Sequence, residues 1–213
     1  MLRKIGIVLL AASSVTGAAW AQDVMLTQVA GDVRVLGKTG ARAAVPFLKV
    51  NEGDKLTLAG NARVQMVYLG SGRQEIWKGG GEIVVGSQEG RSPSLKAESS
   101  QLPPLILRQL AKTPAVGQQG KTGMVMLRSL DDLEALDRLE KDYADFRART
   151  PADDVTPEVY LLSGLLEFQD YERARKVLAD LKDKQRTQPA YQALVEHFGR
   201  LVDAASAPRG GRQ

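Results

Sequence analysis

The sequence contains no cysteine, a single histidine and only 5% aromatic residues among its 213 positions. Without cysteine the chain cannot form disulfides, thiolate zinc sites, iron–sulfur clusters or a cysteine nucleophile. One histidine also excludes nearly every multi-histidine metal site. The hydrophobic content of 43% is too ordinary for a protein of many membrane spans. We therefore expect one or two small domains that hold neither a metal nor a cofactor.

The first 21 residues have the pattern of an export signal. A basic start at Arg3 and Lys4 precedes an apolar stretch, and the small-x-small triplet Ala19-Trp20-Ala21 follows it. This pattern predicts a secretory signal peptide cleaved before Gln22, and therefore a periplasmic protein. Retention as an anchor is the alternative, but the apolar run is shorter than the ~20 residues that span a bilayer. We expect no stable membrane anchor.

Charge is distributed unevenly along the remaining chain. Residues 22–100 carry ten basic and eight acidic side chains, residues 101–129 carry four basic and no acidic ones, and residues 130–203 carry eleven basic and seventeen acidic ones. These shifts predict a first domain, a basic Gly/Pro linker, a second domain and a disordered tail at 204–213. Binding of nucleic acid needs a continuous basic face, and this pattern does not provide one.

The first domain, residues 22–100, reads as all-β. Apolar residues alternate with polar or small ones in short runs that glycine-rich turns separate. Alternation predicts a small antiparallel sandwich or rolled sheet with one face buried and one face wet. Because Ile76 takes the inward register, Trp77 is expected to point outward, where it would contact a partner or a glycan. Packing of Trp77 over a neighbouring strand is the alternative.

The turns and strands of this domain resemble the FecR-like domain over residues 24–90. The resemblance implies a β fold and an extracytoplasmic setting, but not transmembrane signalling, because the cytoplasmic segment and membrane span of the ferric-citrate regulators are not present. The matching stretches are Ala30-Gly31-Asp32-Val33-Arg34-Val35, Val50-Asn51-Glu52-Gly53-Asp54-Lys55-Leu56, Ala62-Arg63-Val64-Gln65-Met66, and Leu69-Gly70-Ser71-Gly72 with Glu75-Ile76.

The linker, residues 101–129, reads as a tether with one or two helical turns at Leu105 to Leu110. Inside it, residues 115–122 match a relaxed phosphate-loop pattern that ends in Gly120-Lys121-Thr122. A working phosphate loop follows a buried strand and opens a helix, and neither is predicted here. No nucleotide is expected.

The second domain, residues 130–203, is predicted to be all-α. Four amphipathic segments have apolar residues at helical spacing, and short links make them antiparallel hairpins. The starts are marked by Ser129 with an acid at the third position, by Thr156-Pro157-Glu158, by Asp170-Tyr171 and by Pro189.

The second and third of these segments resemble a tetratricopeptide repeat. The matching residues are Leu161-Leu162-Ser163-Gly164, followed by Asp170-Tyr171-Glu172-Arg173-Ala174. The family implies binding of a protein or peptide, and a lone repeat needs flanking helices to cover its faces. A plain four-helix bundle is the alternative. We expect partner contacts at Tyr160, Glu167, Arg173 and Lys176, in addition to Trp77.

Catalytic chemistry is not expected. His197 follows Glu196 on an amphipathic helix and reads as a solvated residue, and no nucleophile elbow is present. The acidic pairs Asp131-Asp132 and Asp153-Asp154 lie at helix starts, where capping accounts for them. The sequence therefore favours a non-enzymatic scaffold of the cell envelope that binds a protein partner through its helices. A periplasmic ligand sensor or a binder of peptidoglycan through the β module remains the alternative.

Overall fold

The computed structural model describes residues 24–116, 130–185 and 188–207, with the backbone alone at 130–133, 185 and 189. The predicted signal peptide, most of the phosphate-loop pattern, the side chains of Asp131 and Asp132, and the last six residues lie outside this description. No helix in the described ranges is both long enough and apolar enough to cross a membrane.

In the described ranges, ten strands precede five helices. The strands are β1 (Val24–Ala30), β2 (Val33–Gly37), β3 (Gly40–Ala43), β4 (Lys49–Val50), β5 (Lys55–Leu58), β6 (Arg63–Tyr68), β7 (Arg73–Lys78), β8 (Gly81–Val85), β9 (Gly90–Arg91) and β10 (Glu98–Gln101). The helices are α1 (Pro104–Lys112), α2 (Leu130–Arg149), α3 (Thr156–Glu167), α4 (Tyr171–Gln185) and α5 (Pro189–Ser206).

The strands form two antiparallel sheets of five. Sheet A has the order β10-β7-β6-β1-β4, and sheet B has the order β3-β2-β5-β8-β9. Both sheets contribute to one apolar core, which contains the inward residues of the alternating runs. The predicted antiparallel β module is therefore confirmed. These core residues include Val33, Val35, Leu56, Leu58, Val64, Met66, Tyr68, Ile83 and Val85.

The central strands of sheet A are buried on both faces, which differs from the predicted wet outer face. Met25 of β1 and Val67 of β6 point away from the sheet core and pack in a second cluster with the helices. Since neighbouring residues of a strand point to opposite faces, the unbroken buried runs in β1 and β6 require a layer on each side. The order of layers is sheet B, sheet A and helices.

Trp77 points into the sandwich, so the predicted outward orientation is wrong. The register of β6 and β7 places Trp77 opposite Val64 and Ile76 opposite Gln65. Val64 belongs to the sheet core, and Trp77 on the same face is 3% exposed. The indole Nε1 donates to the buried carboxylate of Glu75 at 3.1 Å. Pairing between strands, rather than the hydrophobicity of Ile76, decided this register.

The helical part agrees with the prediction for four helices and adds one. Helices α2 to α5 start where the sequence indicates, and α1 occupies the predicted linker as a full helix with Ile106 and Leu110 buried. Helix α5 continues to Ser206, so residues 204–206 of the predicted tail are helical. The chain therefore has a two-module α+β layout in which α1 packs against α3.

Asp154 joins the two modules through a buried polar cluster. Its Oδ1 accepts from the Gln65 side chain at 3.0 Å, and its Oδ2 accepts from the Gln74 side chain at 3.0 Å. Oδ1 also accepts from the backbone N–H of Thr156, the first residue of α3, at 2.9 Å. The N-cap residue of α3 is Val155, which makes no side-chain capping bond, so Asp154 acts from one position earlier and fixes α3 onto sheet A, while Asp153 pairs with Arg63.

Candidate interaction groove

Helix α1 is held in place by contacts at its carboxyl end. Lys112 Nζ lies 2.6 Å from Oε1 of Glu167, and the buried hydroxyls of Thr113 and Ser163 are 2.6 Å apart. Further along, the N–H of Val116 donates to the carbonyl of Phe47 at 3.1 Å. These contacts bind the α1 segment to α3 and to the β module, which fixes the walls of the grooves beside it.

A groove of about 430 Å³ runs between α1, α2 and α3. We call it the α1 groove. Its apolar side chains are Leu105, Ala135, Leu139 and Phe168, and its polar side chains are Arg108, Gln109, Lys112, Arg138, Asp142, Tyr160 and Glu167. Leu105 is 40% exposed and is one of three large hydrophobic residues in the described ranges that solvent reaches to this extent.

A second, smaller cavity of about 260 Å³ lies between α1, α3 and α5. Leu166, Leu201 and the small residues Ala204 and Ala205 make most of its wall. It shares Lys112 and Glu167 with the α1 groove, so this ion pair separates the two depressions. Both partners are about half exposed, and such pairs contribute only about 0–1 kcal/mol.

Tyr160 forms part of the floor of the α1 groove and is nearly buried. Its hydroxyl donates to Oδ2 of Asp142 at 3.5 Å. Burial, and then the neighbouring Asp142 carboxylate, raise the pKa of Tyr160 to about 12. Tyr160 therefore stays a neutral hydrogen-bond donor, and it engages an acceptor within the groove itself.

No family model matches this chain. No curated protein and no solved structure matches it either. Its possible roles therefore have to be argued from its own residues.

Of the five predicted contact residues, the structure brings two together. Tyr160 and Glu167 both line the α1 groove. Arg173, on α4, instead pairs with Glu140 at 2.9 Å and with Asp170 at 3.4 Å. Lys176 is exposed on α4 and does not line the groove. Trp77 lies inside the sandwich, where it has no surface for a partner.

Several groove residues were not predicted, because they lie on α1 and α2. Leu105 and Arg108 are three positions apart on a helix whose sequence predicts only one or two helical turns within a linker. The signal was an apolar run with a basic residue at helical spacing. Arg138 and Asp142 stand four positions apart on α2, on the polar side of the predicted apolar stripe.

His197 is buried, so its predicted position in solvent is wrong. Its ring stacks on Phe47 with centroids 4.7 Å apart, and its Nε2 donates to the carbonyl of Pro114 at 2.9 Å. Burial lowers the pKa of His197, and the positive charge of Arg200 acts in the same direction. The single histidine therefore joins α5 to both the β module and the end of the α1 segment.

A second buried polar cluster holds the helices together around Glu158. Oε2 of Glu158 accepts from Arg147 at 2.9 Å, while Tyr143 and Tyr191 lie within 3.5 Å of Oε1. Burial raises the pKa of Glu158, although Arg147 opposes this shift. The side chains come from α2, α3 and α5, so the cluster ties those helices together. Among the described residues, no three side chains of His, Asp or Glu are grouped as metal ligands.

Proposed function

We propose that this protein is a non-enzymatic interaction protein of the periplasm, in which a FecR-like β module carries a helical module that binds a partner protein. The α1 groove is the partner site. The observation that carries this proposal is the exposed Leu105 in a groove of about 430 Å³ on the helical module. A groove that combines apolar lining with a few polar groups is typical of a binding site.

The helices give this proposal a second support. Helix α3 and helix α4 form a hairpin at the position of the tetratricopeptide-like residues, and Ala174 of α4 is fully buried. Helices α1 and α2 supply the flanking surfaces that one repeat needs. The alternative of glycan binding at Trp77 has no exposed indole to support it, and we do not propose it.

The test is site-specific photo-crosslinking in the cells that make the protein. A photo-reactive residue replaces Leu105 in one variant and Leu36 in a matched control. Leu36 is 52% exposed on β2, so both positions present an accessible leucine, but only Leu105 lies in the groove. We expect a defined partner to be captured from position 105 alone. Equal capture from both positions, or capture from neither, contradicts the proposal.

Point variants are preferable to truncation here. Met25, Phe47 and Val67 of the β module share a core with the helices, so removal of either module exposes that core. Leu105→Asp should abolish co-purification of the captured partner, while Leu36→Asp should preserve it. The location is tested separately by fractionation and by sequencing of the mature N-terminus, which should begin at Gln22.

A further inference from the structure

The α1 groove contains two guanidinium groups that are not neutralised at close range. Arg108 of α1 forms no hydrogen bond or ion pair with any residue in the described ranges. Arg138 of α2 has only Glu134 nearby, at 3.9 Å, and the two side chains are 68% and 76% exposed. A pair of this length and exposure provides little neutralisation. The groove therefore presents positive charge on two of its walls.

The acidic groups of the groove cancel this charge only in part, because three cations and two carboxylates line it: Glu167 offsets Lys112, and Asp142, whose partner is a neutral hydroxyl, offsets one of the two guanidinium groups. Glu167 lies 2.6 Å from Lys112, and Asp142 accepts from the hydroxyl of Tyr160. The amide of Gln109 adds an unused donor, since its Nε2 is buried and has no hydrogen-bond partner among the described residues. A buried donor without an acceptor is costly, and an incoming acceptor would remove that cost.

Apolar surface lies between these groups. Leu105 is exposed at one wall, and Leu139 and Phe168 lie along the groove. A ligand that fits must bury apolar surface and bring negatively charged acceptors at the same time. Guanidinium groups favour carboxylates, which they bind with parallel hydrogen bonds.

We infer that the α1 groove takes an acidic segment of a partner protein, in which one large apolar side chain lies against Leu105 and flanking Asp or Glu carboxylates pair with Arg108 and Arg138. This inference rests on the proposed function and adds the chemistry of the partner. The cations come from α1 and α2, outside the repeat-like hairpin of α3 and α4. They line one groove from two different helices, which suits an inserted side chain better than a flat lipid surface.

The experiment begins with selection from a phage library of random dodecapeptides on the immobilised full chain. Selected peptides are then synthesised with a fluorophore, and their affinities are measured by anisotropy. Each peptide is paired with a version in which every Asp and Glu is replaced by lysine. The protein variants are Arg108→Glu with Arg138→Glu, and Arg91→Glu as the control. Arg91 is an exposed arginine on β9, outside the groove.

We expect the selected peptides to be rich in Asp and Glu beside Leu or Phe. The double reversal should weaken their binding by about tenfold or more and should create binding of the lysine-substituted versions. Arg91→Glu should leave both affinities unchanged. Because Arg108 and Arg138 are exposed, the double variant is expected to fold, and circular dichroism verifies this.

Four results overturn the inference. Selected peptides without acidic enrichment, or binding that the double reversal does not change, exclude charge recognition at this groove while leaving the proposed function intact. A library that yields no binder excludes the inference in the same way, and the photo-crosslinking at position 105 then decides separately on the proposed function. Sedimentation of the chain with phosphatidylglycerol vesicles, lost in the double variant, assigns the cations to an anionic membrane instead.

Discussion

Gln65, in the middle of β6, donates from its side-chain amide to Oδ1 of Asp154, 89 residues later, at 3.0 Å. Both side chains are buried, and the bond crosses from the β module to the segment just before α3. Gln74 donates to the other carboxylate oxygen. One carboxylate therefore serves two sheet residues and a helix start, and its removal should affect the whole molecule.

Asp154→Ala should lower the free energy of unfolding by about 3 kcal/mol, because it leaves the amides of Gln65 and Gln74 buried without this acceptor. The neighbouring Asp153→Ala is the matched control. Asp153 pairs with Arg63 at 2.5 Å but is half exposed, so its loss should cost at most about 1 kcal/mol. Urea denaturation of the two variants measures the difference. Equal losses would show that Asp154 does not join the modules.

Gly164→Ala should destabilise the protein by about 1–3 kcal/mol, because the added Cβ would lie 2.5 Å from a methyl carbon of Leu139. Helices α2 and α3 pack closely at this point. Gly199→Ala in α5 is the control, since a Cβ there meets nothing within 4 Å. That substitution should stabilise the helix by up to about 1 kcal/mol. Thermal unfolding of both variants measures these changes in stability. A Gly164→Ala variant as stable as the unsubstituted protein would contradict the close packing of α2 and α3.

Arg147→Met should destabilise the protein by about 3–5 kcal/mol near neutral pH, because it leaves the charge of Glu158 buried without its cation. Adding Glu158→Gln should recover part of this loss, since the amide carries no charge. Urea midpoints of the single and double variants provide the comparison. A double variant that is less stable than Arg147→Met would exclude an uncompensated charge as the cause.

The same cluster predicts a pH dependence. The pKa of Glu158 in the folded state is raised above its ordinary value of 4.5. The stability that this raised pKa contributes to the folded state is therefore fully present below pH 4.5 and is lost as the pH rises through the folded pKa of Glu158. The penalty of Arg147→Met should accordingly shrink in acid, when Glu158 takes up a proton. A penalty that stays constant with pH in denaturant titrations would contradict this account.

His197 should give a pH dependence of the opposite sign. Its pKa in the folded state lies below the ordinary value of 6.5, so the unfolded chain binds the proton more readily. Stability from this residue is present above pH 6.5 and is lost as the pH falls through the unfolded and then the folded pKa. His197→Gln retains a donor for the carbonyl of Pro114 but does not titrate. The unsubstituted protein should melt at a higher temperature than His197→Gln at about pH 8, and this difference in melting temperature should be smaller at about pH 5.

Sequence patterns predicted the β module and four of the helices because local periodicity decides these elements. The alternation through Val33, Val35 and Leu56 is specified by which face meets the sheet core, and the spacing of α5 is specified by its buried stripe. Pro157 and Pro189 lie in the first turns of α3 and α5. The N–H groups of a first turn have no partner within the helix, so the N–H that proline lacks is not needed there. Helix α1 is amphipathic but only nine residues long, too short to be stable by itself, and its packing against α3 stabilises it.

The candidate site was predictable only in part. Tyr160 and Glu167 lie on α3, whose pattern was clear, and both line the α1 groove. Arg108 and Leu105 belong to α1. The sequence of α1 predicts a linker, and only its packing against the neighbouring helices makes these two residues part of a groove. No local pattern specifies a groove between three helices.

The sequence by itself determined the element types, the absence of cysteine chemistry and the alternation of the sheet core, since each follows from residue identity and short spacing. The tertiary structure decided the direction of Trp77, the burial of His197 and the double role of Asp154. Each of these depends on a partner far along the chain: Val64 across a strand pair, Phe47 beneath α5, and Gln65 in the sheet. Contacts between residues far apart in the chain decide which face of a strand or helix packs against another element. That packing in turn buries side chains and shifts the pKa of the titratable ones.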